Sequence, residues 1–196
     1  MKDIEKFNEI KEHAIERHIP IIMDDTLNVI EERLRARRTN RILEIGTAVG
    51  YSAICFSEFL EPNGIIDTIE RDEERIKEAK ENIKIIDNNK KINIYEGDAV
   101  EILPTINEKY DMIFIDAAKG KYPFFLDQAL RLLKKDGIIF ADNILYKGYV
   151  MSDYNKHKQR TAVTHLREYI KLTTEDPQLN TEILEVGDGL AITTMK

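Results

Sequence analysis

Acidic side chains stand at the ends of the predicted strands of this sequence. Five strands end in this way, at Glu44, Glu70, Asp98, Asp116 and the pair Asp142-Asn143. In an open sheet of parallel strands, ligands bind beyond the carboxyl ends of the strands. We therefore expect these acids to lie along one ligand-binding edge, where carboxylates can accept hydroxyl donors, pair with a positive charge or hold a metal ion.

A glycine-bearing turn follows the first of these strands. The sequence from Arg41 to Ser52 is RILEIGTAVGYS, which predicts a short strand, a turn from Gly46 to Gly50 and the start of a helix. Such a turn brings backbone N–H groups close to a ligand. Its G-x-x-x-G spacing differs from the G-x-G-x-x-G of dinucleotide sites. Because Glu44 would repel a phosphate, our hypothesis is S-adenosylmethionine, which carries an ammonium and a sulfonium.

The next two strand-end acids fit the same ligand. Glu70 follows Gly50 by about 20 residues, the separation at which an acid accepts ribose hydroxyls in dinucleotide-binding folds. Asp98 has two interpretations that the sequence leaves equally open. It could contact the adenine edge, or it could cap the helix that is predicted to begin at Ala99.

A second group of oxygen ligands ends two strands that should be neighbours in the sheet. Asp116, Asp142 and Asn143 offer two carboxylates and an amide oxygen, which suit Mg²⁺. The alternative is that each side chain only caps a helix or a turn. Lys119 lies one turn past Asp116, and a nearby divalent cation would favour its uncharged amine, so it is a candidate general base. It could equally be an ordinary surface lysine.

Strands that alternate with helices are predicted to position these residues in a parallel α/β sheet. The apolar run at residues 110–116 indicates a central buried strand. The last two strands form a hairpin across 187–189, so one strand near an edge should run antiparallel. Turns are expected at 62–64 and 136–137. The predicted helices cover residues 4–18, 24–37, 51–60, 72–87, 99–106, 123–133 and 160–173, and the predicted strands cover 41–45, 64–70, 91–95, 110–116, 138–141, 181–186 and 190–194.

Length and charge narrow the function classes. The 196 residues suit one domain, and the net charge of −7 argues against non-specific binding of nucleic acid. No apolar run is long enough to span a membrane and the charged N-terminus lacks a signal-peptide core, so we expect a cytoplasmic location. Two basic clusters could still contact a structured RNA, although such clusters are usually solvated faces. They are Arg33, Arg35, Arg37, Arg38 and Arg41, and Lys147, Lys156, His157, Lys158 and Arg160.

The ordered motifs resemble those of the cation-dependent O-methyltransferases, which include catechol and caffeoyl-CoA O-methyltransferases. The motifs are EIGTAVGYS at 44–52, IE at 69–70, GDA at 97–99, IDAAK at 115–119 and ADN at 141–143. The resemblance implies a Rossmann-like class I methyltransferase, with a seven-stranded, mostly parallel sheet whose last strand is antiparallel. It also implies one domain, in which residues 1–38 form N-terminal helices and residues 39–196 form the core.

The resemblance also implies a role for each matching residue. Lys119 would deprotonate the acceptor hydroxyl, and Asp116, Asp142 and Asn143 would hold Mg²⁺. A homodimer is expected because the N-terminal helix has no obvious place in the core of the sheet. The residues expected to bind S-adenosylmethionine are Met23, Glu44, Gly46, Ser52, Glu70, Asp98, Ala99 and Asp116.

The acceptor has to offer two adjacent oxygens, which both a catechol and a 5-hydroxyuridine do. The segments 116–122, 142–148, 160–161 and 187–190 look most like the bacterial tRNA 5-hydroxyuridine methyltransferases, which make 5-methoxyuridine at the wobble position, and the chain contains no Trp. The resemblance thus favours a tRNA anticodon loop as partner. A small-molecule acceptor is the alternative. A non-catalytic binding module is a third interpretation, disfavoured because a mere binder needs no metal ligands.

Overall fold

The computed structural model describes residues 4–86, 91–153 and 159–196. The chain divides into two compact units, Met1–Ile102 and Leu103–Lys196. Each unit contains part of the β-structure and several helices. The expected single domain, with a boundary at residue 38, stays a prediction. None of the described helices is both long and apolar enough to cross a membrane.

The first unit contains three parallel strands in the order β3-β2-β1. Ile45 at the end of β1 pairs with Ile69, and Glu70 at the end of β2 pairs with Glu96, so the three strands end level with one another. The residues that follow them therefore meet at one edge. The elements are α1 (Ile4–Glu16), α2 (Asp24–Arg35), β1 (Thr39–Ile45), α3 (Tyr51–Phe56), a 3₁₀ turn (Ser57–Phe59), β2 (Leu60–Glu70), α4 (Glu73–Ile86), β3 (Ile92–Glu96) and α5 (Ala99–Ile102).

The second unit contains four strands in the order β4-β5-β7-β6. β4 and β5 are parallel, whereas β7 is antiparallel to both β5 and β6. The expected antiparallel strand near an edge is thus confirmed. The elements are a 3₁₀ turn (Leu103–Thr105), β4 (Tyr110–Ile115), a 3₁₀ turn (Lys119–Lys121), α6 (Tyr122–Leu132), β5 (Leu133–Ala141), α7 (Arg160–Glu175), β6 (Leu179–Leu184) and β7 (Leu190–Met195).

Apolar periodicity explains why these segments form their elements. The run from Met112 to Ile115 is buried along its whole length, as expected for a strand covered on both faces. The helices instead bury one stripe each, at a spacing of three or four residues. In α4 the stripe is Ile76, Ala79, Ile83 and Ile86, and in α7 it is Val163, Leu166, Tyr169 and Thr173.

Two predicted turns lie inside strands. Residues 62–64 belong to β2, where the pairing with β1 moves from Thr39–Leu60 to Arg41–Ile65, so the turn-forming sequence lies in an irregular stretch where the register shifts. Residues 136–137 belong to β5, whose pairing with β4 shifts in the same way. Two helices are also shorter than predicted, because α3 and α5 each tighten into a 3₁₀ turn, after Phe56 and Ile102 respectively.

Candidate active site

The glycine loop of the first unit, residues 46–50, follows β1 directly. The N–H groups of Gly46 and Thr47 donate to the Ile69 carbonyl at 3.0 and 3.2 Å, which ties the loop to β2. Gly46 and Gly50 have φ angles of 107° and 81°. Such angles favour glycine, because a side chain is strained there. The two glycines therefore allow the backbone to turn tightly where it leaves β1.

Glu44 lies beneath the loop and is fully buried. One carboxylate oxygen accepts the Ser52 hydroxyl at 2.5 Å, and the other accepts the Thr68 hydroxyl at 2.5 Å. Because the Thr68 proton goes to Glu44, Thr47, at 2.7 Å, donates to Thr68. The structure thus brings Glu44 and Ser52 together and compensates a buried charge with hydroxyl donors. Direct contact of Glu44 with a ligand stays a prediction.

Glu70 is held at the end of β2 by backbone groups. One of its oxygens accepts the Ala48 N–H at 2.9 Å. The other accepts the N–H groups of Arg71 and Asp72 at 2.9 and 3.0 Å. A carboxylate offers about four lone-pair positions, so the oxygen that faces Ala48 retains capacity for a further donor. Glu70 is thereby fixed beside the glycine loop, as the sequence predicted, and its contact with ribose stays a prediction.

Asp98 and Met23 are less closely tied to the glycine loop. One oxygen of Asp98 accepts the Val100 N–H at 2.9 Å, which is the capping geometry, and the other pairs with Arg71 at 3.2 Å. Ala99 is the first residue of α5. Met23 immediately precedes α2 and is half-exposed. The roles of these three residues toward S-adenosylmethionine stay predictions.

Two contacts that support the glycine loop were not predicted from the sequence. The Asn82 amide on α4 donates to the Val49 carbonyl at 2.9 Å. The Phe7 ring on α1 stacks on Tyr51, the first residue of α3, with ring centroids 5.0 Å apart. Asparagine and phenylalanine at these positions carry no sequence signal, because helices commonly contain both on solvated or packed faces.

In the second unit, the negative charge of Asp116 acts on the carboxyl group of Asp142. Burial, followed by the negative charge of Asp116, raises the pKa of the Asp142 carboxyl to about 7. Burial also raises the pKa of Asp116, while the positive charge of Lys119 lowers it in part. Burial raises both pKa values because it disfavours the charged form of a carboxyl group. A divalent cation would stabilise both charged carboxylates, so this pair fits a metal ion.

Asn143 and Lys119 complete this cluster. Asn143 has a φ of 56°, which asparagine tolerates better than most residues, and its N–H donates to the Asp142 carboxylate at 2.7 Å. The Lys119 ammonium donates to the Asn143 amide oxygen at 2.8 Å and lies 5.4 Å from the centre of the Tyr146 ring. The four predicted residues therefore form one connected group, and Lys119 is not an isolated surface lysine.

The donor set is the one that Mg²⁺ uses. It comprises two carboxylates and one amide oxygen, all hard ligands, and leaves room for water or acceptor oxygens. Across the described ranges, no cluster of three or more His, Cys, Asp or Glu side chains could hold a metal ion. The candidate metal site is Asp116, Asp142 and Asn143, which has only two side chains of those four types, and its occupation by Mg²⁺ stays a prediction.

The profile of the O-methyltransferase family matches residues 3–196 of this sequence. The chain belongs to the O-methyltransferase family. A catechol O-methyltransferase from Niastella koreensis is 33% identical over 81% of this chain and 75% of its own length. A Staphylococcus aureus structure, provisionally described as a caffeoyl-CoA O-methyltransferase, is 35% identical, with a TM-score of 0.89 over 97% of this chain and 92% of that one.

A Bacillus cereus O-methyltransferase solved in complex with SAH shares 26% identity and a TM-score of 0.87, over 98% of this chain and 91% of that one. These matches confirm the Rossmann-like methyltransferase fold with a seven-stranded mixed sheet. They also confirm the coarse activity: this family member is an S-adenosylmethionine-dependent O-methyltransferase of the catechol and caffeoyl-CoA type.

The basic clusters of this O-methyltransferase are partly neutralised. In the first cluster, Arg41 pairs with the buried Asp67 at 2.9 Å and Arg35 pairs with Glu31 at 3.0 Å. In the second cluster, the Lys147 ammonium lies 5.8 Å from the centre of the Tyr146 ring. Lys156, His157 and Lys158 lie outside the described residues.

Proposed function

We propose that this O-methyltransferase methylates a hydroxyl group that has a second oxygen beside it, with Mg²⁺ as the metal. The observation that carries the proposal is that Asp116, Asp142, Asn143 and Lys119 form one group, in which burial raises the pKa values of both carboxyl groups. Two adjacent acceptor oxygens can complete a metal site that the protein fills only in part.

Lys119 is proposed as the general base. In its uncharged form the amine would take the proton of the acceptor hydroxyl, and Asn143, which now accepts a hydrogen bond from Lys119 at 2.8 Å, orients the side chain. The acceptor oxygen would form a bond to the methyl carbon as the carbon–sulfur bond breaks and S-adenosylhomocysteine leaves. Mg²⁺ held by Asp116, Asp142 and Asn143 would supply charge that favours the deprotonated acceptor and would fix its orientation.

The glycine loop is proposed to receive the methyl donor. Glu70 is fixed by three N–H groups and retains capacity to accept a ribose hydroxyl. Gly46 permits close approach of the backbone, and the Glu44–Ser52 pair places negative charge beneath the loop for a positively charged ligand. Met23, Asp98, Ala99 and Asp116 are proposed as further contacts of S-adenosylmethionine on the strength of the motif resemblance.

For the acceptor, we propose the 5-hydroxyuridine of a tRNA anticodon loop. The support is the resemblance of the segments at 116–122 and 142–148, the absence of Trp, and the basic residues such as Lys147 and Arg160. A catechol-type small molecule is the second candidate. It is favoured by the relatives, since the Niastella koreensis protein is described as a catechol O-methyltransferase.

One assay separates these acceptors. The protein is incubated with methyl-labelled S-adenosylmethionine and Mg²⁺, together with either tRNA that contains 5-hydroxyuridine or a catechol. Labelled tRNA supports the first proposal, with tRNA that lacks the 5-hydroxyl as the matched control. Label on the catechol alone would contradict it. Activity that persists in EDTA would contradict the role of the metal.

A homodimer and a cytoplasmic location also stay proposals. The reason given for a dimer is weakened, because α1 has partners within its own chain: Arg17 pairs with Glu78 of α4 at 2.7 Å and Phe7 stacks on Tyr51. Light scattering coupled to gel filtration measures the oligomeric state directly. A monomer across the working concentration range would rule the dimer out.

A further inference from the structure

Tyr122 connects the ends of β4 and β5 at the candidate metal site. The side chain is fully buried. Its hydroxyl donates to the backbone carbonyl of Asp142 at 2.7 Å and lies 3.4 Å from the carbonyl of Ile115, the last residue of β4. The Ile115 carbonyl also accepts the Asp142 N–H at 3.0 Å. The Tyr122 hydroxyl therefore links the ends of the two strands, just beyond their regular pairing.

The peptide that Tyr122 holds joins two of the candidate metal ligands. Its carbonyl belongs to Asp142 and accepts the Tyr122 hydroxyl, while its N–H belongs to Asn143 and donates to the Asp142 carboxylate at 2.7 Å. With both polar groups engaged, the peptide plane cannot rotate without losing a hydrogen bond. The directions of the Asp142 carboxylate and the Asn143 amide are fixed together, including the left-handed φ of Asn143.

The same tyrosine also restrains the candidate base. Tyr122 directly follows the 3₁₀ turn that contains Lys119 and begins α6. Anchoring its hydroxyl at Asp142 consequently limits the distance between the turn and the two ligands. The Lys119–Asn143 hydrogen bond of 2.8 Å spans that gap.

We infer that Tyr122 is a positioning residue, whose hydroxyl preorganises the metal ligands Asp142 and Asn143 together with Lys119. The inference rests on the proposed metal role of this cluster. Loss of a group that orients metal ligands typically lowers metal affinity by about 10- to 100-fold. The Tyr122 hydroxyl bonds to backbone carbonyls, so its loss should weaken metal binding more than it slows turnover at saturating metal.

The test is binding of Mn²⁺ to the full chain, measured by electron paramagnetic resonance without any acceptor. Tyr122→Phe keeps the ring and its edge contact with Tyr169, whose centroid is 5.6 Å away. We expect the dissociation constant for Mn²⁺ to rise about tenfold, while binding of S-adenosylmethionine stays within about twofold. In turnover, the metal concentration for half-maximal rate should rise about tenfold, with the rate at saturating metal within about threefold of wild type.

Tyr169→Phe is the matched control, because Tyr169 is equally buried but its hydroxyl lies near Thr193 of β7. It should bind Mn²⁺ as the wild type does. Equal weakening in both variants would overturn the inference, as would unchanged binding in Tyr122→Phe. If the wild type itself binds no Mn²⁺, the proposed metal role fails instead, so the two failures are distinguishable.

A second measurement does not require the variant to fold. In wild-type protein labelled with ¹³C at the tyrosine Cζ position, the Tyr122 signal is assigned by its proximity to the Tyr169 ring. Addition of Mg²⁺ should shift this signal, because the carbonyl that accepts the hydroxyl belongs to a metal ligand. A Tyr122 signal that stays in place while Mg²⁺ saturates the protein would overturn the inference.

Discussion

The two clusters of acids in this molecule are neutralised in different ways. In the first unit, the Glu44 and Glu70 carboxylates each accept hydrogen bonds on both oxygens, from two hydroxyls and three backbone N–H groups. In the second unit, Asp116 and Asp142 both interact with Lys119, and both pKa values are raised, first of all by burial. Neutral donors organise the first cluster in advance, whereas the second cluster combines two carboxyl groups with one lysine.

This difference indicates the kind of ligand that each cluster takes. A carboxylate satisfied by fixed N–H and hydroxyl donors is rigid and can orient an organic ligand with little rearrangement. Carboxylates whose pKa values are raised by burial gain most from a cation. We therefore expect substitutions of Asp142 or Lys119 to abolish turnover and leave the methyl donor bound, while substitutions in the first cluster alter stability and donor affinity.

The largest expected effect is that of Asp142→Asn. The substitution preserves shape and removes one of two carboxylates that would hold Mg²⁺. A loss of several kcal/mol of transition-state stabilisation corresponds to a decrease in kcat/KM of about 1,000-fold. Binding of S-adenosylmethionine, measured by calorimetry, should stay within about twofold of wild type.

The matched control is Asp111→Asn in the neighbouring strand, because Asp111 near the start of β4 pairs with Lys134 of β5 at 2.8 Å and should be dispensable for turnover. An active Asp142→Asn protein, or one that loses the methyl donor as well, would contradict the division of labour between the clusters.

Ser52→Ala should have its main effect on stability. The Ser52 hydroxyl donates to the buried Glu44 carboxylate at 2.5 Å, and the substitution removes this donor. We expect the free energy of unfolding to fall by about 1–3 kcal/mol, measured by urea denaturation. Ser57→Ala is the control, because the Ser57 hydroxyl only donates to the Ile54 carbonyl one turn earlier. Equal losses in both variants would show that Glu44 does not depend on Ser52.

Metal affinity should depend on pH through Asp142. Its pKa is about 7 in the folded, metal-free protein, whereas an unfolded aspartate titrates near about 3.9. Between these values the folded state binds more protons than the unfolded state, so the contribution of this group to stability falls as the pH rises toward 7.

Because a metal ion competes with the proton of Asp142, Mn²⁺ should bind about tenfold more weakly at pH 6 than at pH 8. Calorimetry in buffers of different ionisation enthalpy would detect the released proton, and pH-independent binding without proton release would contradict the raised pKa.

The strand ends were predictable from the sequence, and their supports were not. Apolar runs that stop at acids locate Glu44, Glu70, Asp116 and Asp142, because strand geometry makes the end of a buried run coincide with a sheet edge. Tyr122 carries no such signal, since a tyrosine at the start of an amphipathic helix is ordinary core. Its function depends on a contact between residues 20 apart in sequence, and only tertiary packing creates that contact. The register shifts in β2 and β5 were not predictable for a similar reason, because turn-forming residues are compatible with both a connection and an irregular stretch of strand.

Asn82→Ala should have the smallest effect on ligand binding. It tests whether a residue on α4 that supports the glycine loop affects the first cluster. The Asn82 amide holds the Val49 carbonyl at 2.9 Å, and a single neutral hydrogen bond contributes about 0.5–1.5 kcal/mol. If the glycine loop is organised in advance by such donors, the dissociation constant for S-adenosylmethionine should rise about fivefold, whereas that for Mn²⁺ should not change.

Asn93→Ala is the control, because Asn93 donates to the Asp67 carboxylate at 3.0 Å instead of the loop. A variant that binds both ligands normally would show that β1 and β2 alone hold the loop in place. A variant that loses Mn²⁺ binding would show that the two clusters are coupled.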